Sequence, residues 1–113
     1  MKVRIRFEKS GVEIEGEIHD TKIGKALYDA LPIRTPVERW GKEVYFPTPV
    51  NCEVENPQET VQLGDMGYWP PESSWCIFFG PTPISKNGEI RPDSPGEVFG
   101  QVLGNLKDRT KVK

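Results

Sequence analysis

Between Lys2 and Phe7 the apolar residues Val3, Ile5 and Phe7 alternate with charged ones, the period of two that a strand shows when one face is buried and the other wet. After Ser10-Gly11 the alternation resumes, with Val12, Ile14 and Ile18 set among Glu13, Glu15 and Glu17. The two runs predict a β-hairpin whose basic and acidic outer rows attract each other across the strands. The period then changes. Ile23, Ala26, Leu27, Ala30 and Leu31 recur every three to four residues, Asp20 or Thr21 can cap the start, and Pro32 stops the run, so a helix is expected through about Leu31.

Past the helix the chain returns to short apolar runs. Thr35 to Trp40 and Glu43 to Phe46 read as two strands joined by a tight turn at Gly41-Lys42. A polar, acidic loop over 51–58 leads into a strand at Glu59 to Leu63, a turn at Gly64-Asp65, and a further strand from Met66 through Trp69. The most apolar run, Trp75 to Phe79, is expected to be a central strand, and after a turn-rich loop over 84–96 the stretch Val98 to Gly104 supplies a last one, with glycines where the sheet can bend. Some eight strands and one or two short helices result. A mainly β, closed barrel is the expected architecture, because closure removes the edges that so many strands would leave exposed; a mixed open sheet is the alternative.

Composition sharpens this picture. With 113 residues one core is expected and two are not, so residues 1–113 are read as a single domain. The eleven Gly and eleven Pro fall between the apolar runs and serve as turn punctuation. The net charge of −2 hides an uneven distribution: residues 1–9 and 107–113 each carry +3, which leaves −8 between them. Basic ends could touch phosphate, but nucleic-acid binders concentrate more charge on one face, so the alternating bases of the first strand are read as its wet side and 107–113 as a solubilising tail. No apolar stretch approaches a membrane span, and the two cysteines, Cys52 and Cys76, are too few for a stapled secreted domain, so a cytoplasmic location with reduced thiols is expected.

Two stretches carry more specific information: Val61-Gln62-Leu63-Gly64-Asp65-Met66-Gly67-Tyr68-Trp69-Pro70-Pro71, and Cys76-Ile77-Phe78-Phe79-Gly80-Pro81-Thr82-Pro83. In these motifs the chain resembles the cyclophilin-like family of small prokaryotic proteins. The resemblance implies an eight-stranded barrel across residues 3 to 104. True cyclophilins are peptidyl-prolyl isomerases whose site sets an arginine beside aromatic and aliphatic side chains just after the first helix, which directs attention to the hairpin 37–46. Arg39 is the candidate for that arginine and Phe46 for the wall of a proline pocket. The Phe-His-Arg and Gln-Gly-Gly-Asp motifs of the enzymes are missing from this chain.

Prolyl isomerisation needs neither nucleophile nor metal, since an arginine that hydrogen-bonds the proline nitrogen weakens amide resonance while a pocket grips the ring. The bland alternative makes Arg39 an exposed strand residue paired with Glu38 or Glu43. Tyr68, Trp69 and Trp75 flank a loop with two prolines; they can line a concave mouth, or simply fix a turn. His19 is the only histidine and Cys76 reads as a small buried hydrophobe, so nucleophilic chemistry has little to stand on. Asp65 suits a turn whose carboxylate accepts backbone N–H bonds. No P-loop, dinucleotide fingerprint or zinc spacing is present, so neither cofactor nor metal is expected. The leading expectation is a binding module with little or no catalysis that holds a small ligand or a proline-containing peptide near Arg39, Tyr45, Phe46, Tyr68, Trp69 and Trp75. A weak isomerase and a protein-docking subunit are the alternatives.

Overall fold

The computed structural model of the chain describes residues 1–104; the basic tail expected over 107–113 lies outside the described residues. Seven strands run in the order β1 (Lys2–Phe7), β2 (Val12–Ile18), β3 (Glu38–Trp40), β4 (Glu43–Pro47), β5 (Asp65–Trp69), β6 (Ser74–Phe78) and β7 (Glu97–Val102), with one helix, α1 (Lys22–Asp29), between β2 and β3 and a single 3-10 turn at Pro70–Glu72. All strands join one antiparallel sheet in the order β1-β2-β7-β5-β6-β4-β3.

The first hairpin forms as the charge pattern requires: Lys2, Arg4 and Arg6 stand opposite Glu17, Glu15 and Glu13, and the Arg4 guanidinium also reaches diagonally to Glu13 at 3.0 Å. In α1 the Thr21 hydroxyl accepts from the Gly24 N–H at 3.0 Å, capping the helix, and Ile23 and Leu27 are fully buried against the sheet. Gly41, at φ +62°, makes the two-residue turn between β3 and β4, which docks where the Lys42 N–H donates to the Pro81 carbonyl.

The strand count and the closure expected from the sequence need correction. The stretch Glu59 to Leu63 is no strand: Val61 makes one isolated bridge, to Ile90, and Gln58 another, to Gly96. Seven strands remain. The sheet is open, with β1 and β3 as its edges, and β3 is only three residues long. Its core face is covered by α1 and by irregular chain around 50–54, where Val50 is buried in the core and Cys52 and Val54 pack against it. An edge this short carries few unpaired backbone groups, so closure is not needed to protect it.

The core face holds Ile14, Ile18, Met66, Trp75, Ile77 and Phe99 in one continuous cluster. Trp75 is its centre, stacked on Phe46 at 5.4 Å between ring centroids and set edge-on to Phe99 at 4.9 Å. A second, smaller cluster of Val61, Cys76 and Phe78 sits on the opposite face of the same strands, with Tyr45, Trp69, Ile90 and Val98 packed around it. Both faces of the sheet's central strands are thus covered, one by a helix and one by loops.

Candidate functional site

Period-two alternation decides what each central strand shows to the outer face. Strand β4 sends Val44 and Phe46 inward and Glu43 and Tyr45 outward; β6 sends Trp75 and Ile77 inward and Cys76 and Phe78 outward. Trp69 and the side-chain-free Gly67 face outward from β5, and Trp40, opposite Glu43 in the register, extends the same face onto β3. The segment Pro92–Gly96 and Val61 lie over these residues. Between strands and loop runs a groove of about 240 Å³.

The covering loop is fixed from several sides. The Trp69 indole N–H donates to the Ser94 hydroxyl, the Thr82 hydroxyl donates to the Arg91 carbonyl, and the Ser85 hydroxyl accepts from the Arg91 N–H at 2.9 Å. At the far end the Glu97 carboxylate accepts from the Glu55 and Asn56 N–H groups at 2.7 and 2.9 Å. The groove's roof is therefore tied to its floor by hydrogen bonds.

Glu43 is the chemically exceptional residue of the groove. It is only 6% exposed, its Oε1 has no hydrogen-bond partner, and it stands beside the buried Cys76 thiol. Burial pushes the Glu43 carboxyl up to about 7; the thiol's hydrogen bond works against that shift and the nearby Asp93 charge adds to it. Cys76 itself is driven well above the ordinary thiol range by burial and by the adjacent carboxylate, so it stays a neutral thiol. The Tyr45 phenol is pushed up as well, by burial first and then by Glu38, Glu72 and Glu43. Three carboxyl groups, those of Glu43, Glu72 and Asp93, border the groove, and among the described residues no Lys, Arg or His side chain lines it.

Of the residues singled out in the sequence, the structure brings Tyr45 and Trp69 together in this groove. Tyr68 borders it, but its ring is fully buried in the core, and its hydroxyl donates to the Val50 carbonyl at 2.7 Å and accepts from the Cys52 N–H at 3.2 Å. Trp75, 1% exposed, and Phe46 are stacked core residues. Arg39 is exposed and pairs with Val44, so it projects from the face opposite Trp40 and Glu43. Arg39 and Phe46 therefore do not meet the groove aromatics. Asp65 takes the turn role expected of it, its carboxylate accepting from the Gln62 N–H at 2.8 Å. His19 lies near Gln101, at 3.4 Å. Among the described residues, no group of three or more His, Cys, Asp or Glu side chains is placed to hold a metal ion.

Sequence reasoning missed Glu43, Trp40 and Asp93 as groove residues. The signal was present for two of them: Glu43 and Tyr45 share strand parity, and the two-residue turn at Gly41-Lys42 puts Trp40 opposite Glu43. Asp93 arrives from a loop, where no periodicity applies.

The fold and groove define a small antiparallel β protein with one helix and a ligand-sized acidic groove on the face away from its main core. The family model described as Cyclophilin-like matches residues 1–113, and the chain belongs to that family. It is similar to a hypothetical protein of Archaeoglobus fulgidus known from a solution structure, at 44% sequence identity and a TM-score of 0.76, over 91% of this chain and 79% of the archaeal one. No curated protein matches.

Proposed function

We propose that the protein is a small-ligand-binding module with little or no catalysis, and that its ligand lies in the outer-face groove between β3, β4, β5, β6 and the 92–96 loop. The observation that carries this reading is the buried Glu43 carboxyl, whose Oε1 lacks a hydrogen-bond partner, in the lining of a groove walled by Trp40, Tyr45 and Trp69. A buried polar group without a partner costs stability, and a site that keeps one gains it back when a ligand supplies the missing bond. The neutral state of Cys76 and the placement of Arg39 on the other face support binding over nucleophilic or isomerase chemistry. Free thiols at Cys52 and Cys76 support the expected cytoplasmic location, and no helix among the described residues is long and apolar enough to cross a membrane.

The test is an NMR screen of the isotope-labelled protein against a fragment set balanced in charge. Binding fragments are expected to shift amides of residues 40–45, 67–69 and 92–96, and a groove-filling Gly67→Val variant, whose added Cβ meets neighbours only at ordinary contact distances of 3.5 Å or more, is expected to abolish those shifts while keeping the fold. Shifts clustered at Arg39 and the opposite face, or catalysed cis/trans exchange of an Xaa-Pro peptide, would overturn the reading.

A further inference from the structure

We infer that the groove selects organic ammonium ions, with the charged N–H directed at the Glu43 carboxylate and the carbon substituents lying against Trp40, Tyr45 and Trp69; this inference rests on the groove being a ligand site. Three independent features point to a cation. Among the described residues that line it, the groove's charges are of one sign: Glu43, Glu72 and Asp93 border it, with no Lys, Arg or His beside them, and Glu38 adds its field at Tyr45. Among the described residues, the one buried polar atom of its lining without a partner is Oε1 of Glu43, a residue only 6% exposed, and in the ionised form the partner it lacks is a donor. The remaining walls are the rings of two tryptophans and a tyrosine, whose negative π faces attract cations and whose hydrophobic area suits alkyl groups.

A metal ion fits poorly, because Glu43 has no second and third oxygen or nitrogen ligand beside it: among the described residues no cluster suitable for a metal is found. An anion would meet the acidic groups Glu43, Glu72 and Asp93 with no counter-charge among the described residues of the lining. A neutral hydroxyl donor could satisfy Oε1 but would leave the carboxylate's charge buried and uncompensated, whereas an ammonium supplies donor and charge together.

The same chemistry couples binding to protons. Of the titratable groups facing Glu43, Cys76 on β6 and Tyr45 on its own strand are both displaced upward and stay neutral between pH 6 and 8, and Asp93 faces it from the covering loop. Glu43 itself, near 7, is partly protonated in that interval. An ammonium binds the carboxylate form, so binding releases a fraction of a proton, and affinity rises with pH as the competing proton is lost.

The test uses matched trios on butyl, benzyl and indolylethyl scaffolds, each carrying an ammonium, a hydroxyl or a carboxylate, titrated into the full chain by NMR and calorimetry. The ammonium members are expected to bind at least about tenfold more tightly than the alcohols, and the carboxylates most weakly. Affinity for the ammonium is expected to rise several-fold from pH 6 to pH 8, with proton release seen as a dependence of the binding heat on buffer ionisation. Glu43→Gln, which removes a buried charge and keeps its shape, is expected to bring ammonium affinity down to that of the alcohol. Alcohols or carboxylates binding as well as the ammonium, a flat pH profile, or an unchanged preference in Glu43→Gln would each overturn the inference while leaving the groove a binding site. If no member of any trio and no fragment of the broader screen moves the groove amides, the binding reading falls as well.

Discussion

On the core face of β4, β5 and β6 stand Val44, Phe46, Met66, Tyr68, Trp75 and Ile77; on the outer face of the same three strands stand Glu43, Tyr45, Gly67, Trp69, Cys76 and Phe78. The two faces are written in alternate letters of one stretch of chain, and they are built to different standards. The core face is filled with apolar contact, and its one phenol, at Tyr68, makes two hydrogen bonds to loop backbone. Its single loose end among the described residues is the Trp75 indole N–H, a neutral donor. The outer face leaves a carboxyl buried without a full set of partners, replaces one side chain with glycine, and keeps three aromatic rings half-buried around the gap. A neutral orphan costs little compared with a charged one. What the comparison teaches is that the sheet's stability lives on one face and its unfinished chemistry on the other.

Substitutions that respect the distinction should separate cleanly. Trp75→Ala removes the stacked centre of the core and is expected to cost about 3 to 5 kcal/mol, read from urea or guanidinium unfolding; a loss below about 1 kcal/mol would mean that the core face is not the stabilising one. Next in size is a gain. The folded Glu43 carboxyl sits near 7 against an ordinary 4.5, so the folded state holds a proton that the unfolded chain gives up in that interval, and stability falls as pH rises from 4.5 to 7 and levels off above. Glu43→Gln has no such proton to lose. It is expected to be more stable than the parent at pH 8 by on the order of 3 kcal/mol and to match it near pH 4, as compared by unfolding midpoints at the two pH values. Tyr68→Phe, which strands the Val50 carbonyl and the Cys52 N–H, is expected to cost about 1 to 2 kcal/mol in the same assay. Arg39→Ala is expected to change stability by less than about 0.5 kcal/mol and groove binding not at all, since its side chain is exposed on the other face; a clear loss of binding would join the two faces that the geometry separates.

Much of the fold was legible because its signals are local. The first hairpin announces itself through alternation and charge, the helix through its spacing and Thr21 cap, and β6 through five consecutive residues suited to burial on both sides. Closure and the eighth strand were not legible: Glu59 to Leu63 has the composition of a strand, but whether such a segment pairs depends on which neighbours tertiary packing leaves free, and here it contributes Val61 to a loop-covered cluster by a single bridge. The site was half legible. Aromatic residues near β4 and β5 drew attention to Tyr45 and Trp69, which do share the groove, yet adjacent residues on a strand point to opposite faces, so the side chains of Tyr45 and Phe46, or of Tyr68 and Trp69, cannot both point into it. Strict use of that parity would have replaced Phe46 by Glu43. No sequence pattern marks a glutamate as buried without a partner, because its burial here is completed by Cys76 from β6 and by the loop that carries Asp93.

The ionisation of Glu43 tests the account most directly. A 13C NMR titration of its side-chain carboxyl in the free protein is predicted to give a midpoint near 7, moving down when benzylammonium is added. A midpoint near 4.5 that does not respond to the ammonium would contradict the account, for it would show the carboxylate already solvated or paired and the outer face as complete as the core.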